Sequence, residues 1–228
     1  MKVIHERLIR HIEEDIIPVY EKANRAHSKN HIKRVIDYSL KLARELDVDL
    51  NITYTAAAYH DIGIIGWGAQ RGESNQTLRA KHHKYSAIAV KESKELNELF
   101  NKDELEIISS ACFNHRASNS DNPVTLYGKV VADADRLDGF KLNVLFKRCY
   151  EYDRFHYPEK SMEETKEGIF SHVKEKYGYF GYAYDSLYLP ITKRKFATEI
   201  GLVKKICSDK KQFDREFRRW SEENTTFC

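Results

Sequence analysis

Apolar side chains recur at helical spacing along nearly the whole chain. In the stretch that begins at His31, for example, Val35, Tyr38 and Leu42 follow at offsets of four, seven and eleven residues, which places them on one helical face. Short alternating runs between tight turns, which are typical of strands, are missing. The pattern predicts helices over 3–22, 28–47, 51–61, 83–98, 103–115, 126–150, 162–176 and 190–220. We therefore expect an all-α fold.

Two segments between the predicted helices are candidates for long loops. Residues 62–81 contain four glycines among polar side chains, and a connection of this length in a compact domain usually has a function. Residues 177–190 contain six aromatic side chains. This second segment is either a packed crossover between helices or one wall of a substrate pocket, and the sequence leaves both interpretations open.

Length and composition fit one large domain. The 228 residues are 41% hydrophobic, which provides enough apolar surface for a substantial core. We expect a single domain over residues 1–228, with its core at about 25–150 and a C-terminal helical extension at about 160–228. The 4 cysteines are scattered, which favours reduced thiols over a disulfide framework or a zinc–thiolate site.

Charge and hydropathy exclude several classes of partner. The chain has 38 Lys and Arg residues against 35 Asp and Glu residues, and this near balance predicts no dedicated nucleic-acid surface. No apolar run reaches the roughly 18 residues that span a bilayer, and the first residues lack the apolar core of a signal peptide. We therefore expect a soluble, cytoplasmic protein without membrane contact.

The strongest local signal for chemistry is the adjacent pair His60 and Asp61. A run of small residues at 55–58 precedes the pair, and Gly63 follows it, which predicts a buried helix that ends near the glycine. Two polar side chains at the end of a buried helix are costly unless they are paired. Either a metal ion or a hydrogen-bonded core pair would solve this problem.

Further residues of ligand type fall on helix faces that should be buried. They are His31, His83, His115 and Asp135, each of which lies at helical spacing from apolar neighbours. One such histidine alone is more often a hydrogen-bonded core residue. Because several helices direct such groups into one core, together with the His–Asp pair, the sequence predicts a metal site.

Three short motifs resemble the signature of the HD-domain superfamily of metal-dependent phosphohydrolases. They are HSKNHIKRV at 27–35, YHDIG at 59–63 and VADADRLD at 131–138. The resemblance covers about residues 25–150 and implies an HD-domain helical bundle with additional C-terminal helices. Residues 162–220 are more loosely similar to small bacterial HD proteins that convert nucleoside triphosphates to the monophosphate and pyrophosphate.

The resemblance also implies a set of metal ligands. Carried over to this chain, the ligands of a first divalent metal ion are His31, His60, Asp61 and Asp135. His83 and His115 fall where two-metal members carry two more histidines, and Asp61 would then bridge two ions. In one-metal members the same histidines line the phosphate site instead. Imidazole and carboxylate ligands suit Mn, Fe, Ni, Co or Mg, at one or two ions per chain.

The implied activity is hydrolysis of a phosphoester or phosphoanhydride bond of a nucleotide or another small phosphorylated molecule. Asp61, His83 and His115 are the candidate catalytic residues. Positively charged candidates for binding substrate phosphates are Arg116, Arg136 and Lys81. A structural ion pair is an alternative role for Arg136, and a solvated basic turn is an alternative for Lys81. The oligomeric state stays open, with a homodimer as one option.

Two other functions share parts of this pattern. The implied ligand set also resembles that of the di-iron oxygenases of the same superfamily. A non-catalytic module that binds a nucleotide is the second alternative. The sequence departs from the cyclic-di-GMP phosphodiesterases of the superfamily, because Ile64 and Ile65 follow Gly63 where those enzymes carry a lysine, and Arg116 follows His115.

Overall fold

The structure is a computed structural model, and it describes residues 3–22, 28–65, 75–116, 122–178 and 182–224. Helices account for the regular structure in these ranges, and no strand occurs within them. The helices are α1 Glu6–His11, α2 Lys29–Glu45, α3 Leu50–Tyr59, α4 Asn75–Glu92, α5 Lys94–Leu99, α6 Lys102–Asn114, α7 Leu126–Asp138, α8 Leu142–His156, α9 Met162–Tyr177, α10 Tyr182–Asp185, α11 Pro190–Lys195, α12 Ala197–Ser208 and α13 Lys210–Glu223. The predicted all-α fold is confirmed.

Several predicted boundaries differ from the observed ones. Residues 126–150 form two helices, because the backbone leaves the helical region at Lys141 (φ −89°, ψ 107°). Residues 190–220 form three helices, and the last of these begins where the Asp209 side chain accepts a hydrogen bond from the Gln212 backbone. The predicted loop at 62–81 is shorter than expected, because α4 already starts at Asn75. Part of that loop, residues 66–74, lies outside the described residues.

The chain divides into two compact units, Met1–Leu137 and Asp138–Cys228. In the first unit, α3 packs against α2 and α6, and α4 packs against α6. Helix α3 is buried along nearly its whole length, with three consecutive alanines at its centre. Such small side chains let neighbouring helices approach closely. The residues that directly follow α3 are therefore held deep inside this unit.

Side-chain caps fix where two helices of the first unit begin. The Asp49 carboxylate accepts hydrogen bonds from the backbone N–H groups of Asn51 (2.8 Å) and Ile52 (3.1 Å) at the start of α3. At the start of α6, Asn101 and Glu104 form a reciprocal capping box. These caps satisfy backbone N–H groups that the start of a helix leaves without partners.

The second unit has an aromatic core of its own. The ring of Phe146 packs edge-on against Phe213, Phe217 and Trp220 at centroid distances of 5.5–5.9 Å. In the aromatic segment 177–190, Tyr177 is buried against Phe140. For this part of the segment, the burial favours a packed crossover between helices. Whether both units fold as the single domain expected from the sequence stays a prediction.

Hydropathy separates the described helices from membrane spans. None of them combines the length and the apolar character that crossing a bilayer requires.

Candidate metal centre

Five helices of the first unit bring side chains of ligand type to one place. His31 lies in the first turn of α2, Asp135 lies in α7, and His82 lies in α4. His60 and Asp61 directly follow α3, and His115 directly follows α6. All of these side chains are buried except that of Asp135, which is partly exposed. The six groups form what we call the histidine–aspartate cluster.

The Asp61 carboxylate lies at the centre of the cluster. Its Oδ2 atom is 3.5 Å from His31 Nε2 and 3.3 Å from His60 Nε2. Its Oδ1 atom is 3.3 Å from His82 Nε2 and 3.4 Å from His115 Nε2. Each oxygen of one carboxylate therefore faces its own pair of imidazoles.

Asp135 adds a second carboxylate on the side of the first pair. Its Oδ1 atom is 3.4 Å from His31 Nε2. The ligand atoms of His31, His60 and Asp135 all lie within 4.8 Å of one another, and so do those of His60, Asp61 and His115. Both groupings are compact enough to surround a metal ion.

Backbone carbonyls orient two of the imidazoles toward the cluster. His60 Nδ1 donates to the Ala57 carbonyl at 2.8 Å, and His115 Nδ1 donates to the Cys112 carbonyl at 2.7 Å. A proton on Nδ1 leaves Nε2 as the unprotonated nitrogen that can bind a metal. Both residues follow the ends of buried helices, so the carbonyls of the last turn lie within reach.

Opposite charges in the cluster shift the pKa values of its members. Burial opposes protonation of His60, but Asp61 and Asp135 raise its pKa above the ordinary value. Burial likewise opposes ionisation of Asp135, yet His31 and His60 lower its pKa. The carboxylates therefore carry negative charge into an interior site, and a cation there would balance it.

The donor set fits one or two divalent metal ions. His60 Nε2 is buried and makes no well-formed hydrogen bond, although Asp61 Oδ2 lies 3.3 Å away, and a metal ion bound there would satisfy it. Imidazole nitrogens and carboxylate oxygens without thiolates suit Mn, Fe, Ni, Co or Mg. His31, His60 and Asp135 could hold one ion, His82 and His115 could hold another, and Asp61 could bridge them.

The structure brings His82, rather than the predicted His83, against Asp61. His82 Nε2 also lies 3.2 Å from His115 Nε2, whereas the ring of His83 packs against Phe113 at a centroid distance of 5.3 Å. Helical spacing did not separate the two neighbours, because α4 is buried on two adjacent faces. Ser86 and Ala89 continue the His82 face, Ala87 and Val90 continue the His83 face, and all four are buried.

The environment of His83 is apolar and electropositive. Burial lowers its pKa to about 4, and His82, His115 and Arg116 act in the same direction. Its Nδ1 atom is buried without a hydrogen-bond partner. His83 is therefore a neutral imidazole at pH 7 that packs beside Phe113.

The three predicted phosphate-binding residues lie in different surroundings. Arg116 donates to the Ala80 carbonyl at 2.7 Å. Arg136 is buried, and its Nη1 atom donates to the carbonyls of Ala132 (2.5 Å) and His115 (3.2 Å). Lys81 is exposed on α4. Both arginines thus bind backbone groups next to the cluster, and their role toward a substrate stays a prediction.

The first unit thus combines an all-helical fold with a cluster of potential metal ligands. A family model described as HD domain matches residues 29–139, a range that contains every member of the histidine–aspartate cluster. Residues 29–139, just under half of the chain, are therefore identified as an HD domain, the domain of a superfamily of metal-dependent phosphohydrolases.

Solved structures share this fold at low sequence identity. A predicted HD superfamily hydrolase from an uncultured Thermotogales bacterium is 23% identical (TM-score 0.51) and covers 72% of this chain and 83% of its own. Bacillus subtilis YpgQ, in complex with ADP, is 16% identical (TM-score 0.55) and covers 95% of both chains. A Lactobacillus plantarum protein is 18% identical (TM-score 0.54) and covers 95% of this chain and all of its own. No curated protein matches the sequence.

Proposed function

We propose that this phosphohydrolase cleaves a phosphoester or phosphoanhydride bond of a nucleotide with two divalent cations held in the histidine–aspartate cluster. The observation that carries the proposal is the placement of Asp61, whose two oxygens face different pairs of imidazoles at 3.3–3.5 Å. A carboxylate shared in this way is suited to bridge two ions.

The side chains of the cluster divide the work of holding the ions. On one side of Asp61, one ion would be held by His31, His60 and Asp135. On the other side, the second ion would be held by His82 and His115. When bound, the cations supply positive charge for a phosphoryl oxygen and lower the pKa of the attacking water. The Ala57 and Cys112 carbonyls keep the imidazoles of His60 and His115 in the tautomer that binding requires.

A nucleotide carrying two or more phosphates is the substrate class with the most support. The Bacillus subtilis protein that shares this fold over 95% of both chains was solved in complex with ADP. Lys81 precedes His82 and Arg116 follows His115, so positive charge accompanies both histidines of one pair. Such charge favours phosphate binding. We propose hydrolysis of a nucleoside triphosphate to the monophosphate and pyrophosphate as the specific reaction.

The test combines metal analysis with a nucleotide panel. The purified protein is analysed for its metals per chain, and phosphate and pyrophosphate release are then measured separately for each nucleotide. Two ions per chain with pyrophosphate release support the proposal. Asp61→Asn should abolish turnover, whereas Asp37→Asn, which changes an exposed aspartate paired with Lys41, should retain it. Loss of activity in both variants, or in neither, would contradict the assigned role of Asp61.

A di-iron oxygenase is the second candidate, because imidazole and carboxylate groups also bind iron. Two irons per chain, oxygen consumption and no phosphate release would favour it. Metal and nucleotide binding without any turnover would instead indicate a sensor module.

A further inference from the structure

The segment that precedes the family match packs against the helix that leads into the cluster. This segment, residues 6–22, consists of α1, a π-helical turn at Ile12–Ile16 and a 3₁₀ helix at Ile17–Lys22. We call it the N-terminal segment. It lies outside the matched range of 29–139, and its π turn contacts α3.

Tyr20 connects the N-terminal segment to the end of α3. Its side chain is fully buried, and its hydroxyl donates to the Ala58 carbonyl at 2.8 Å. Burial raises the pKa of Tyr20 well above its ordinary value, the Asp61 carboxylate adds to this effect, and a hydrogen bond from the Asp61 backbone opposes it. The hydroxyl is therefore anchored to the last turn of α3, two residues before His60.

A second connection joins the N-terminal segment to the residue before His60. The Tyr59 hydroxyl lies 2.8 Å from His11 Nε2, and His11 Nδ1 lies 2.8 Å from the Asp15 carboxylate. Asp15 belongs to the π-helical turn. This chain of contacts ties the Tyr59 side chain to the N-terminal segment.

These contacts satisfy carbonyls that the end of a helix leaves without partners. The last four C=O groups of an α-helix have no partner within the helix. Of these, the Ala57 carbonyl accepts from His60, and the Ala58 carbonyl accepts from Tyr20. The turn that carries His60 and Asp61 is thus hydrogen-bonded both to itself and to the N-terminal segment.

We infer that Tyr20 is a positioning residue for the metal centre. Through the Ala58 carbonyl, it holds the turn after α3 so that His60 Nε2 and both oxygens of Asp61 face the ions. The inference rests on the proposed function, because it assumes that the cluster binds metal. The N-terminal segment would then be a part of the metal centre that contributes no ligand.

The test is to remove one hydroxyl group and measure metal affinity. In Tyr20→Phe, the turn loses its anchor, and we expect the Kd for Mn²⁺ to rise about tenfold, as for other groups that orient metal ligands. Tyr54→Phe is the matched control. Tyr54 is also buried in α3, where burial and the Glu13 carboxylate of the N-terminal segment raise the pKa of its hydroxyl to about 12. Since the Ala58 carbonyl keeps its hydrogen bond from Tyr20 in this variant, we expect the Kd of Tyr54→Phe for Mn²⁺ to stay within about twofold of the unaltered protein.

Calorimetric titration of metal-free protein with Mn²⁺, below the thermal transition of both variants, gives the affinities. The metal concentration for half-maximal activity should rise in Tyr20→Phe, with the rate recovered at saturating metal. Equal affinity in Tyr20→Phe and the unaltered protein, or equal weakening in both variants, would overturn the inference. If the unaltered protein binds no metal, the proposed function itself is contradicted.

Tyr59→Phe provides a second variant if Tyr20→Phe does not fold. It removes the contact with His11 and leaves the Tyr20 hydroxyl in place. We expect its Kd for Mn²⁺ to rise by a smaller factor than in Tyr20→Phe, because the carbonyl of Ala58 keeps its donor. A Kd equal to that of the unaltered protein would mean that the N-terminal segment does not position the turn.

Discussion

At the scale of the residue, His82 and His83 have opposite surroundings although they are neighbours in the sequence. His82 Nε2 is 3.3 Å from Asp61 Oδ1, while His83 packs against the ring of Phe113. A histidine beside a carboxylate and a second imidazole can bind a metal ion. His83 lies in the core beside Phe113, and its predicted role as a catalytic residue or ligand stays a prediction.

Substitution of the two neighbours should therefore give different metal contents. In His82→Ala one ion loses an imidazole, and we expect metal analysis to fall from about two ions per chain toward one, with a large loss of activity. In His83→Ala the cluster is intact, so the metal content should be unchanged. If the metal content falls in His83→Ala and is unchanged in His82→Ala, His83 rather than His82 is the ligand.

The low pKa of His83 also predicts a pH dependence of stability. The folded protein holds this imidazole neutral down to a pH of about 4, whereas the unfolded chain protonates it near 6.5. The unfolded state therefore binds more protons in this range. The contribution of His83 to the free energy of unfolding is fully present above pH 6.5 and is lost as the pH is lowered toward 4. We expect a contribution of roughly 1–2 kcal/mol after allowance for solvent screening.

Chemical denaturation of metal-free protein at several pH values would measure this contribution. His83→Phe should show a shallower decline below pH 6.5 than the unaltered protein. Parallel declines for the two proteins would show that other groups cause the loss of stability.

Most of the cluster could be predicted from the sequence, because each motif has a polar residue on a helix face whose apolar neighbours indicate burial. The structure places His31, His60, Asp61, His115 and Asp135 together as that pattern predicted, although their role as ligands stays a proposal. His82 could not be chosen over His83, because both faces of α4 are buried. The contact between Tyr20 and Ala58 could not be predicted, since it joins residues 38 positions apart through a carbonyl that every residue has.

At the scale of the element, the turn after α3 lies unusually close to α4. A Cβ atom on Gly63 would lie 2.1 Å from the His82 carbonyl oxygen and 2.7 Å from the Ser86 nitrogen. The Gly63 N–H also donates to the Ser86 hydroxyl at 3.0 Å. Glycine is required here because the backbones of two elements touch. The sequence indicated only the helix end at Gly63, because close approach to another element leaves no local signal.

Gly63→Ala should therefore disturb both stability and the metal centre. The added methyl group must push α4 away, which we expect to cost about 2–3 kcal/mol of unfolding free energy and to weaken the metal binding that depends on His82. Gly201→Ala is the control, since no atom lies within 4 Å of the corresponding methyl group. It should be neutral or slightly stabilising, because alanine favours the helix. Comparable losses in both variants, measured by urea denaturation, would contradict this account.

At the scale of the whole molecule, every proposed ligand lies in the first of the two compact units. Metal that binds the folded state stabilises it by about 2.7 kcal/mol at a free concentration 100 times the Kd. We expect Mn²⁺ to slow amide hydrogen exchange in α2, α3 and α6 much more than in α12 and α13. Equal protection throughout the chain would mean that the two units unfold together.

The division of one carboxylate between two pairs of histidines has a genetic consequence. Once Asp61 is replaced, both pairs of histidines lose the carboxylate that they share. A further change at His31 or His82 then causes little additional loss of metal binding or activity. The combined loss in such double variants should fall well short of the sum of the single losses. A lineage that abandons catalysis by changing Asp61 is then released from selection at the surrounding histidines, which are expected to drift afterwards rather than before.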